Sequence, residues 1–345
     1  MLRHLIHCIA LLTCAAPLAQ ADDLPLFASD EVLDIVFEAP MNTIVREADE
    51  RPEVEGVLHY TADDGQTVTL PLSMTTRGKS RLAYCHFPPL SINLKRKETD
   101  GTLFAGQNKL KVVTRCRRGS TFERYLHQEH GIYQAFNAVS EYGFRVRRLN
   151  VTYRDSEGKR DDETQFAYFI ESDNEVAART GMEKLKVSKI DSAQLDPAHE
   201  NKFALFQFLI ANTDWSVIKG AAEESCCHNG KVIITPGSVI GWIVLPYDFD
   251  QAGLINTKYS MPAEGLGIRS VRQRLFRGRC RNIDQLDDTV ALFNERRAAI
   301  EAALLPEALD NRSRKSAARY IDDFYEIMNE PKDRQKKVAD KCIGS

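Results

Sequence analysis

Three short segments hold the densest set of oxygen-bearing side chains in the chain: Asn212-Thr213-Asp214-Trp215-Ser216, His228-Asn229-Gly230 and Pro246-Tyr247-Asp248-Phe249-Asp250. Phosphoryl transfer to a hydroxyl needs such a set. One carboxylate orients or deprotonates the acceptor, and an amide with a carboxylate holds magnesium on the phosphates. Magnesium is a hard cation that takes oxygen ligands, which Asn and Asp supply. On this reading Asp214 is the catalytic base, and Asn229, Asp248 and Asp250 hold Mg2+. The plainer reading makes Asp214 a helix cap and puts Asp248 and Asp250 in a turn.

The donor side is less direct. No G-x-G-x-x-G follows a first strand, so Arg77-Gly78-Lys79-Ser80 would have to cover the phosphates with cations and backbone N–H groups; a polar turn is the alternative. Lys109 and Lys111 fall on one face of a predicted strand by alternation. Lys111 paired with Glu129 on the next helix would orient phosphates; Glu123 is a rival partner, and a surface salt bridge is the bland reading. Glu171 ends a later strand, either at a hinge between lobes or exposed. His228 orients Asn229 or a phosphate, or is structural. The arginines at 269, 272, 274, 277, 279 and 281 are read as salt bridges across the C-terminal half rather than as a phosphate or acidic-substrate contact.

The elements that must position these groups follow from periodicity. Strands are predicted at 32–37, 57–60, 90–94, 110–114, 146–153 and 166–170, with Asp63-Asp64-Gly65 as a hairpin turn. A helix is predicted over 122–140, where Tyr125, Leu126, Glu129, Tyr133 and Phe136 recur at helical spacing. The stretch 199–211 is apolar on nearly every side, which predicts a buried helix. A hairpin at 232–234 and 242–245 follows around Pro236-Gly237. Two amphipathic helices, over 283–304 and 317–328, and a basic tail after Pro331 end the chain.

The 345 residues allow about two domains at ~150 residues each. With 43% apolar and 28% charged residues, disordered, collagenous and coiled-coil classes are excluded. A net charge of −3 gives no positive field for nucleic acid, and no nucleic-acid partner is expected. At the start, positive Arg3 precedes an apolar stretch over 5–18 and Ala19-Gln20-Ala21, an A-x-A pattern before Asp22. That predicts a signal peptide over 1–21 and export, with no integral membrane segment after cleavage. Cys85, Cys116, Cys226, Cys227, Cys280 and Cys342 then remain, an even set that reads as disulfides in an oxidising compartment and allows 15 full pairings. No C-x-x-C supports zinc. Cys85 is expected to pair with Cys116, and the adjacent Cys226 and Cys227 to serve two different partners. The sequons at Asn150 and Asn311 matter only in a eukaryotic secretory pathway, which nothing else suggests.

Protein kinases place the base first, then a metal-binding Asn, a β-hairpin and a metal-binding Asp, the order found here. Asn212-Thr213-Asp214, His228-Asn229 and Tyr247-Asp248-Phe249-Asp250 resemble the motifs of the spore-coat CotH-type kinases, whose pattern is Asp…His-Asn…Asp-x-Asp. Thr76-Arg77-Gly78-Lys79-Ser80-Arg81 resembles that family's Arg-Gly-Asn-Ser-Ser segment more weakly. The resemblance covers roughly 70–280 and extends to a group of uncharacterised exported bacterial proteins. It departs in placing Asp214 and Asn229 15 positions apart, against five in ordinary kinases, with Cys226-Cys227 in the insertion. It implies an α+β, two-lobed protein-kinase-like fold that binds ATP and Mg2+. The implied divisions are a β-rich segment over 22–75, an N-lobe over 76–172, a C-lobe over 173–330 and a tail over 331–345. The function so implied is an exported phosphotransferase, periplasmic or extracellular in a bacterium, that modifies a protein Ser/Thr or other hydroxyl acceptor; nucleotidyl transfer needs the same metal residues. The alternative is a catalytically silent ligand- or partner-binding protein of the cell envelope. A hydrolase lacks a G-x-S-x-G elbow and leaves Asp214 and His228-Asn229 unexplained.

Overall fold

The computed structural model describes residues 24–220 and 225–344, so the expected signal peptide lies outside the described residues. The first half is built from alternating strands. In β1 (Leu33–Ala39), Leu33, Ile35, Phe37 and Ala39 point inward, as period-2 alternation requires. A short helix α1 (Met41–Arg46) leads to β2 (Val54–Thr61), which turns through Asp63-Asp64-Gly65 into β3 (Thr67–Thr76). Gly65 takes the left-handed φ of +81° that the turn requires. There follow α2 (Ser80–Tyr84), β4 (Leu90–Leu94), α3 (Arg96–Thr99), β5 (Lys109–Val113), α4 (Ser120–Asn137), β6 (Val146–Asp155) and β7 (Glu163–Ile170).

These seven strands close into a barrel in the order β1-β2-β3-β4-β5-β7-β6. Neighbours are antiparallel except β1 and β6, which run parallel with Leu33 opposite Leu149 and Ala39 opposite Asp155. Closure leaves no unpaired edge, and Phe37, Leu58, Met74, Ile92, Leu110, Val151 and Phe169 fill the core.

The rest of the chain is α5 (Asp173–Arg179), β8 (Glu183–Leu185), α6 (Pro197–Ile210), β9 (Gly230–Ile234), β10 (Ile243–Pro246), α7 (Leu286–Glu295), α8 (Arg297–Leu304), α9 (Asn311–Asn329) and α10 (Pro331–Lys337). α6 starts where Asp196 accepts the His199 N–H and Pro197 occupies the first turn, a combination that satisfies or removes orphan donors. As expected for a buried helix, it is covered on most sides. β8, β9 and β10 form a small antiparallel sheet. The helix expected over 283–304 is divided at Arg296 into α7 and α8, after a 3-10 turn at Cys280–Gln285.

The two-lobed protein-kinase-like fold is therefore corrected. The seven strands make a closed barrel, and the helices form no separate lobe. α4, expected to belong to a β lobe, lies against α8 so closely that a Cβ on Gly131 would sit 2.2 Å from the Ala303 carbonyl oxygen. Tyr133 and Phe136 of α4 share one continuous core with Phe206 of α6, Phe249, Leu304 of α8 and Phe324 of α9. Hydrophobic burial is non-directional, so the apolar face of α4 is satisfied by whichever elements the topology brings to it. No helix among the described residues is long and apolar enough to cross a membrane.

Candidate functional site

α6 ends at Ala211, whose left-handed φ of +50° turns the chain out of the helix. Asn212 Oδ1 then accepts the Asp214 N–H at 3.0 Å, and the Trp215 indole N–H donates to the Asn212 carbonyl at 3.0 Å. Arg277 donates to the carbonyls of Thr213 and Trp215 from outside. This fixes Asp214 just beyond the end of α6; it does not cap a helix. His228 Nε2 lies 2.7 Å from Asp214 Oδ1. The Asn229 amide donates to the Asp214 carbonyl at 2.7 Å and to Asp214 Oδ2 at 2.9 Å. Both amide hydrogens are thus used, and the Asn229 side-chain oxygen Oδ1 keeps its acceptor capacity.

The hairpin brings the second acidic segment alongside. Gly230 pairs with Pro246, and the Tyr247 N–H donates to the Asn229 carbonyl at 3.1 Å. Asp248 has a left-handed φ of +61°, Asn229 one of +49°. Three non-glycine residues of this kind, Ala211, Asn229 and Asp248, flank the candidate segments, and such backbone strain concentrates at functional sites. The Asp248 N–H donates to the Tyr133 hydroxyl of α4 at 3.1 Å. Asp250 is buried and takes Arg81 Nε at 3.1 Å, while Arg81 Nη2 reaches Glu129 at 2.6 Å. Burial, with Asp248 beside it, pushes the Asp250 carboxyl up to about 8 against the pull of Arg81. Glu129 is also raised, by burial, against Arg81.

Arg77 and Gly78 follow β3. Arg77 donates to the Leu90 carbonyl at 3.1 Å and to the Tyr247 hydroxyl at 3.2 Å. Gly78 has a φ of +90°. Arg77, Gly78, Lys79 and Ser80 join Asp248 and Asp250 around one cavity of about 40 Å³. Lys111 projects from β5 with Nζ 4.3 Å from the Tyr247 ring centroid. Burial and then Arg77 bring its pKa down to about 8.

Two placements differ from expectation. Lys111 does not pair with Glu129, because Arg81 brings a guanidinium to Glu129 and Asp250 together, a two-partner geometry an ammonium matches poorly. Glu123, the rival, lies 3.6 Å from Arg115. Glu171 is not exposed, and without separate lobes it sits at no hinge between them. It is buried, bonds Arg179 at 2.9 Å and accepts the Arg145 N–H. It lines a separate cavity of about 370 Å³ with Lys109, Arg145 and Arg179.

Cys85 is bonded to Cys116, as expected, and Cys280 to Cys342. Cys226 and Cys227 are bonded to each other, which corrects the expectation of two separate partners; the other four cysteines are already paired. Arg272, Arg274 and Arg277 donate to backbone carbonyls and lie over the Tyr320 and Trp215 rings, in place of the expected salt bridges.

Sequence reasoning left out Arg81, Tyr133 and Tyr247 as site residues. Glu129 and Tyr133, polar groups one turn apart on an otherwise apolar helical face, were the available signal. Among the described residues, no group of three or more His, Cys, Asp or Glu side chains is disposed to hold a metal ion. A comparison with protein-family models finds no match, and none is found among curated proteins.

Proposed function

We propose that this cleft transfers a phosphoryl group from ATP to a hydroxyl, with Mg2+ as the metal. The observation that carries the reading is the convergence of Asp214, Asn229, Asp248 and Asp250 with Arg77, Lys79 and Lys111 from widely separated parts of the chain. Burial first, and then the charges of Asp248, Glu129 and Asp214, raise Asp250, while Arg81 opposes them. A divalent cation supplies the missing positive charge, and oxygen donors suit magnesium. Asn229 through Oδ1, Asp248 and Asp250 would hold it; bound there it would neutralise charge on the phosphates.

Asp214 takes the acceptor role. His228 and the Asn229 amide hold its two oxygens, and its half-exposed position leaves it accessible to a hydroxyl. Arg77, through Tyr247, and Lys111 stand on the phosphate side. The motif resemblance to CotH-type kinases supports this chemistry for these residues, without the two-lobed fold. The three disulfides support export to an oxidising compartment, the periplasm or the cell exterior.

A second reading, a silent binding protein, draws on one observation: the cavity at Asp248 and Asp250 holds about 40 Å³, far below the ~300 Å³ at which ligand pockets begin. A nucleoside base does not fit such a space, so on the catalytic reading the base lies outside it.

The test follows phosphorus by 31P NMR in magnesium and ATP. The wild type consumes ATP and Asp214→Asn slows turnover about 10²–10⁴-fold, the usual worth of a positioned base, while still binding nucleotide. Turnover unchanged in Asp214→Asn would overturn the assignment, and binding without turnover in the wild type would favour the silent reading.

A further inference from the structure

Lys184 and Lys231 are absorbed by none of the roles above. Lys184 on β8 stands opposite Ile233 of β9, and Lys231 lies two residues from Ile233 on that strand. Alternation puts both lysines on one face of the small sheet. Tyr247, just beyond β10, lies beside them: Lys231 Nζ is 5.8 Å from its ring centroid. From the barrel, Lys111 Nζ approaches the same ring at 4.3 Å, and Arg77 reaches its hydroxyl at 3.2 Å. Lys184 bonds Asp173, the first residue of α5, at 2.6 Å.

Three cations from three separated segments, Arg77, Lys111 and Lys231, therefore stand against one aromatic ring, with Lys184 next to Lys231 on the sheet face. The carboxylates that face Lys111 are Asp173 and Asp248, and Asp173 also faces Lys231. Lys111, Lys184 and Lys231 thus crowd around one shared carboxylate, Asp173, in a partly desolvated site. Like charges so placed repel, and a fold gains nothing from assembling them unless an anion joins them. Arg77 stands at the ring's hydroxyl and Lys111 and Lys231 over its face, a spread that suits an extended anion better than a compact one.

We propose that Arg77, Lys111, Lys184 and Lys231 form a seat for a diphosphate group, arranged around Tyr247. This deepens the phosphotransfer reading by naming what the donor must carry: a phosphoanhydride chain, with the nucleoside making no contact in the seat. A nucleotide's phosphate tail and inorganic pyrophosphate share that chemistry.

The test is calorimetric titration of the full exported chain, disulfides intact, with inorganic pyrophosphate in metal-free buffer. Parallel titrations use ATP and AMP. Pyrophosphate and ATP bind, and AMP binds more weakly than either. Lys184→Met and Lys231→Met each weaken pyrophosphate about tenfold, as expected for one charged contact, while Lys231→Arg restores most of the affinity. Unfolding midpoints check that the variants fold, and the wild-type titration decides by itself whether the anion is taken. Absence of pyrophosphate binding by the wild type, or equal binding by both methionine variants, overturns the seat. The two readings fail separately. Pyrophosphate binding without ATP turnover keeps the seat and sinks the transferase, whereas turnover with wild-type ATP affinity in Lys231→Met keeps the transferase and sinks the seat.

Discussion

Replacing Asp250 by Asn changes how stability depends on pH, and by an amount the site fixes. Asp250 is buried against Arg81, and burial together with Asp248 raises its pKa to about 8 from an ordinary 3.8. Between these values the folded protein holds a proton that the unfolded chain has released. Stability therefore falls as pH rises from the unfolded value towards about 8, the sign expected for a group whose folded pKa is raised. One proton corresponds to about 1.4 kcal/mol per pH unit, so the wild type loses about 3 kcal/mol at this site between about pH 5 and pH 7. Asn has no proton to take up, and its side-chain oxygen still accepts from Arg81. Asp250→Asn should therefore be increasingly stabilised over wild type across that interval. The assay is denaturant unfolding of both proteins at several pH values, in metal-free buffer with disulfides intact. Other titrating groups contribute to both profiles, so the difference between them isolates Asp250 and its coupling to Asp248 and Glu129. Parallel profiles would refute the buried, raised carboxyl and with it the charge argument for a cation.

Two further outcomes test the frame around the site. Gly131→Ala should destabilise the protein by about 1–3 kcal/mol, the usual cost of overpacking, because the new Cβ would meet the Ala303 carbonyl oxygen at 2.2 Å; this outweighs the gain of about 1 kcal/mol in helix propensity and is read from unfolding midpoints. Replacing Cys280 and Cys342 by Ser opens a 62-residue loop and should cost about 4 kcal/mol by the loop-entropy relation, seen as a lower denaturant midpoint that reduction of the wild type approaches.

The strands at β1 and β6 are legible because their buried residues alternate, and α6 because it is apolar on most sides. Barrel closure was not. Leu33 meets Leu149 and Ala39 meets Asp155 across more than a hundred residues, and no local pattern announces a parallel partner at that distance. The order of parts suggested two lobes because it lists elements without saying that α4 and α8 pack together. The break at Arg296 carries neither Gly nor Pro, so periodicity ran through it. At the site, nearness of Asp214 to His228 and Asn229 followed from a helix end meeting a hairpin. The Lys111–Glu129 pair failed because charge matching along the sequence ignored Arg81, which a single turn of helix after Gly78 delivers between Glu129 and Asp250. Cys226 and Cys227 are expected to take outside partners because a bond between neighbours is strained, yet the other four cysteines pair among themselves and leave none.

The phosphotransfer cleft is put to the test by thermal unfolding of the chain from residue 22 with ATP alone, magnesium alone and both together. Magnesium with ATP should raise the midpoint beyond the rise given by ATP alone, since the acidic side requires a cation and the basic side a phosphate chain, and this further rise should disappear in Asp248→Ala. An unchanged midpoint at millimolar magnesium and ATP, or an equal rise in wild type and Asp248→Ala, would contradict it.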